Sequence, residues 1–64
     1  MSNISKKCFN DLREVMNIRD EIIKNFHLCR SHNDKLACEA TKELATGELQ
    51  DAESAARHSC AGGP

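Results

Sequence analysis

Four cysteines, at positions 8, 29, 38 and 60 of a 64-residue chain, constrain this sequence more than any other feature. A chain of this length buries only about 60% of its unfolded surface. Its core rarely supplies more than roughly 3–5 kcal/mol. Phe9 and Phe26 are the only aromatic residues, which thins that core further. Disulfides are the usual staple for such small domains, and they persist in oxidising compartments.

Which cysteines can pair depends on the secondary structure. There is no internal proline, and Gly47 is the only internal glycine. Cys8, Leu12, Val15, Ile22, Phe26 and Cys29 fall on one helical stripe, with Arg19 the single intruder. Phe9, Met16 and Ile23 widen it. This pattern predicts an amphipathic helix over about 3–30, capped by Ser2 or Asn3. Lys24, His27 and Arg30 suit its C-terminal dipole. Residues 31–34 read as a tight turn. Ser31, Asn33 and Asp34 can each cap a following helix, and Ser31 with Asp34 resembles a capping box. A second helix is expected over about 35–60. Its inward stripe is Cys38, Thr41, Ala45, Leu49, Ala52, Ala56 and Cys60, flanked by Leu36 and Leu44, with Gly62 at its C-cap. Gly47 is its weak point. Glycine in a helix costs about 1 kcal/mol relative to alanine, so a kink, a close contact or a break is expected there. The fold class is all-α: a single-domain, two-helix antiparallel hairpin.

The hairpin leaves one pairing. Cys8 and Cys29 lie about 31 Å apart on one straight helix, and Cys38 and Cys60 about 33 Å apart on the other. A disulfide needs Cα atoms within about 7 Å. Pairing Cys8 with Cys38 and Cys29 with Cys60 would join opposite ends of the hairpin. Facing residues of an antiparallel pair have positions of nearly constant sum, here 68 for Cys8 with Cys60 and 67 for Cys29 with Cys38. The nested pairing Cys8–Cys60 and Cys29–Cys38 is therefore predicted. The small alanines of helix 2 let the axes approach to the low end of the usual 8–10 Å. Two other readings use the same cysteines. They could be reduced and buried as small hydrophobes, which would fit a bacterial or host cytoplasm. Alternatively, His27, Cys29, His32 and Cys38 could hold a metal around the turn, although the spacing H-x-C-x2-H-x5-C matches no usual zinc pattern. No cofactor is expected.

The nested cysteines, the hairpin and a polar start without a signal-like apolar run together resemble the coiled-coil-helix-coiled-coil-helix proteins of the mitochondrial intermembrane space. They also resemble the disulfide-bonded hinge subunits of respiratory complex III, where the resemblance includes Arg30-Ser31-His32 shortly before Cys38. The chain has C-x20-C and C-x21-C where the first family has C-x9-C in each helix, and it lacks the hinge subunits' long acidic stretch. The resemblance implies import, trapping by oxidative folding, and service as a small subunit or assembly factor of a respiratory complex.

Other features narrow the function. Net charge is −1, so nothing pulls the whole molecule toward nucleic acid or membrane. Residues 1–30 carry a net +2 and residues 31–64 a net −3, without a dense basic patch. Nucleic acid is disfavoured, and membrane insertion is not expected. There is no C-x-x-C redox pair, no phosphate loop and no H-E-x-x-H, so the chain reads as no enzyme. Phe9, Met16, Ile18 and Ile23 lie beside the seam and cannot all be covered by alanine. They are the expected site for a protein partner or for self-association as a homodimer, in the manner of coiled-coil or four-helix assemblies. The alternative is a phage, plasmid or bacterial regulatory adaptor, a dimeric four-helix bundle acting on a protein or RNA.

Overall fold

A computed structural model describes residues 5–61. Helix α1 spans Lys6–Ser31, α2 spans Lys35–Glu43, a π-helical turn covers Leu44–Glu48, and α3 runs over Leu49–Ala61. The last three form one continuous arm that folds back along α1, so the molecule is the expected antiparallel hairpin.

The caps fix the ends of α1 and α2. Ser5 caps α1, its hydroxyl accepting from the Cys8 amide at 3.0 Å. The helix therefore begins at Lys6, three residues later than the periodicity suggested. Ser2, Asn3 and Gly62, the other expected caps, lie outside the described residues. At the turn, the helix extends through Ser31, which removes Ser31 from any capping box. Asp34 is the N-cap of α2, its carboxylate accepting from the Ala37 amide at 3.1 Å. Asn33 between them has φ 52°, a left-handed conformation that asparagine tolerates better than most residues. The turn is thus three residues, His32, Asn33 and Asp34.

Both predicted disulfides form. Cys8 bonds Cys60 and Cys29 bonds Cys38, each with a Cα–Cα distance of 4.7 Å. Close axes at both ends are what the small residues of the second arm permit.

The seam differs from the predicted stripe in one respect. The α1 residues turned toward the second arm are Cys8, Asp11, Val15, Ile18, Ile22, Asn25 and Cys29, all buried or half-buried. Cys8, Val15 and Ile18 are the buried members. Leu12 and Phe26 are exposed instead, and Arg19 lies off the seam in solvent. The prediction that Ile18 lies beside the seam is corrected: it is 9% exposed and sits within the core. Both lines run through Cys8, Val15, Ile22 and Cys29, so apolar spacing alone does not separate them. The polar members of the real seam find partners. Ser59 donates to the Asp11 carboxylate at 2.7 Å. The Asn25 side chain donates to the Glu21 carbonyl of its own helix at 2.8 Å. On the second arm, Ala37 and Ala56 are buried, and Cys38, Thr41, Ala45, Leu49 and Ala52 are half-buried, while Leu36 is exposed.

Gly47 lies in the π-helical turn, through which the arm stays helical rather than breaking. Leu44, the first residue of this turn, and its flanking residues Glu43 and Leu49 all keep ordinary right-handed helical angles. A close contact is not the reason either, since a Cβ at Gly47 would meet no neighbouring atom within 4 Å. The turn's purpose follows from the cysteine arithmetic. Cys8 to Cys29 is 21 residues, three heptads, whereas Cys38 to Cys60 is 22. A π-turn takes one more residue than an α-turn. It absorbs the odd residue and returns both cysteines of the second arm to the same face.

Candidate functional site

The site is a face of α1. Leu12 and Phe26, displaced from the seam, join Phe9, Met16 and Ile23 on a second stripe at positions 9, 12, 16, 23 and 26. Helical spacing puts Arg19 on the same line, and these positions follow one another by three and four residues. Exposure of the five apolar side chains runs from 43% at Leu12 to 66% at Met16. At 1.5 Å per residue the stripe is about 26 Å long.

Its surroundings are polar. Beside Leu12 an open groove reaches the seam at Val15 and Ala56 and is edged by Glu53 and Arg57. Near the turn, the Arg30 guanidinium lies 5.7 Å over the Phe26 ring, a cation–π contact that fixes one end of the stripe. Ile23 borders a shallow depression shared with Lys24, His27 and Leu28. The face thus combines an apolar stripe, interrupted near its middle by Arg19, with charged residues along its edges.

Of the four residues expected on this face, Phe9, Met16 and Ile23 are exposed together along α1, and Ile18 is not among them. Apolar periodicity places Leu12 and Phe26 in the seam, whereas the structure exposes both on this face. Arg19 is only a partial signal: the neighbouring line through Ile18 avoids it but carries Asp11 and Asn25 instead.

Other chemistry has less support in the geometry. Cys29 and Cys38, two of the four residues in the metal reading, are bonded to each other and offer no thiolate. Among the described residues no group of three or more His, Cys, Asp or Glu is placed to hold a metal ion. No helix there is long and apolar enough to cross a membrane. Two disulfides are consistent with an oxidising compartment. No protein family, curated protein or solved structure matches this chain.

Proposed function

We propose that this chain is a small, non-catalytic protein-binding or assembly protein, a stapled hairpin that presents α1 to other proteins. The observation that carries this reading is the stripe of Phe9, Leu12, Met16, Ile23 and Phe26, left in water along one face. Burial of apolar surface contributes roughly 25 cal/mol per Å2, so covering a face of this kind is favourable. The staples add to the argument. A helix held at both ends loses little conformational freedom on binding, which lowers the cost of association.

The nested disulfides also favour an oxidising compartment. With the hairpin layout they support the mitochondrial intermembrane space, and a role as a subunit or assembly factor of a respiratory complex.

Site-specific photo-cross-linking in native cells tests both parts. A cross-linker at Met16 or Ile23 should capture a protein partner, whereas one at Ser54, exposed on the second arm, should not. Equal capture from both arms, or none, sinks the binding role. Mass spectrometry of the unreduced native protein checks the compartment, and four free thiols would exclude an oxidising one.

A further inference from the structure

Building on the reading of this face as a protein-binding surface, we infer that its occupant is a second copy of the chain, α1 packing antiparallel on α1 in one register. Three observations carry the inference.

The first is geometric. Positions 9, 12, 16, 19, 23 and 26 repeat the three-and-four spacing of the seam positions 8, 11, 15, 18, 22 and 25, each displaced by one residue. One residue is about 100° around a helix. Helix α1 therefore carries two heptad seams roughly at right angles. The second arm fills one, and a helix can enter the other, as for a corner helix of a bundle.

The second is register. An antiparallel pair in which facing positions sum to 35 uses the whole stripe. Phe9 meets Phe26 of the second copy, Leu12 meets Ile23, and Met16 meets Arg19. A shift by one heptad in either direction leaves two of the six positions without an opposite number, a phenylalanine among them.

The third is charge. Arg13 and Asp20, both exposed, border the stripe on the side away from the second arm. In an antiparallel coiled coil, flanking residues meet equivalent flanking residues of the partner. In this register Arg13 faces Asp20 of the second copy, and the two-fold symmetry makes the pair twice. A parallel arrangement would stack Arg19 on Arg19 and form neither pair. The antiparallel one still sets both Arg19 side chains near the axis, a polar interruption that weakens association while marking the register.

Sedimentation equilibrium of the oxidised full chain, from micromolar to submillimolar concentration, tests this. The expected result is a monomer–dimer equilibrium. Arg13→Glu and Asp20→Arg should each weaken the dimer about tenfold or more by placing like charges opposite each other. The double variant should return to within about threefold of the original. Circular dichroism checks that each variant keeps its helices, and the two single variants test the same contact independently. A monomer at every concentration, or a dimer whose double variant does not recover, overturns the inference. A monomer that still cross-links a different protein through Met16 leaves the binding role intact; one that captures nothing removes both.

Discussion

Ile18 and Ile23 differ by five positions on one helix and by everything in their surroundings. Ile18 lies in the seam, and Ile23 faces solvent. Truncating Ile18 to alanine opens a hole in a thin core and should cost about 2 kcal/mol, near the low end for such changes because a two-helix seam can partly collapse. Ile23→Ala should change the stability of the monomer by less than about 0.5 kcal/mol. Urea titrations at low protein concentration would show the contrast. Equal losses would return Ile18 to the flank of the seam. Asp11 and Ser59 make a second residue-scale test. Their hydrogen bond spans 48 positions of sequence and joins α1 to α3. A double-mutant cycle between Asp11→Ala and Ser59→Ala should give a coupling of about 1 kcal/mol. A coupling near zero would mean that the pair contributes nothing to the seam. Neither residue is conspicuous in the sequence, since an aspartate on an apolar stripe looks like an error until its partner comes into view.

At the scale of whole elements, the π-turn is the feature with the most direct experimental handle. Gly47 has open space where a Cβ would go, and its neighbours are helical. Gly47→Ala should therefore stabilise the protein by about 1 kcal/mol, chiefly by restricting the unfolded chain. That corresponds to a rise of roughly 4–8 °C in Tm for a domain of this size. Deleting Gly47 is the sharper experiment. It reduces the Cys38–Cys60 separation to the 21 residues of α1 and lets the arm run as a regular α-helix. Non-reducing peptide mapping should still find Cys8–Cys60 and Cys29–Cys38, with helicity undiminished. Scrambled or missing bridges would show that the turn is needed for some reason other than phase. These cases show what the sequence makes visible. The cysteine pairing was legible because the three possible pairings differ by tens of ångströms, far beyond any error in helix ends. The seam was not fully legible because its two candidate lines differ by one residue at every second position. Choosing between them depends on partners such as Ser59 that only the folded arm supplies. The π-turn was half visible: glycine marked the place, but separations of 21 and 22 residues both pass for about six helical turns, and the extra residue shows only in the folded arm.

Taken whole, the molecule is a rod only two helices wide, and its staples supply much of its stability. Among the described residues, Cys8, Val15, Ile18, Ala37 and Ala56 are the buried apolar ones, and no side chain is fully buried. The bridges close loops with sequence separations of 52 and 9. On the chain-entropy model they restrict the unfolded state by about 4 and about 3 kcal/mol, not additively. Both figures are of the same order as the roughly 3–5 kcal/mol that a core of this size supplies. The two bridges should therefore be unequal, and together indispensable. A Cys8→Ser, Cys60→Ser variant should lose more stability than a Cys29→Ser, Cys38→Ser variant, because the shorter loop restricts the unfolded chain less. The first variant also frees the end of α3 that Ser59 and Asp11 help to hold, so its loss should begin there, seen as fast amide exchange after residue 52. With both bridges reduced, no cooperative melt should remain at 25 °C. Far-UV circular dichroism with and without a phosphine reductant decides the point. A sigmoidal transition that survives reduction would mean that the core, or a partner copy covering α1, contributes more than the buried side chains of one hairpin account for.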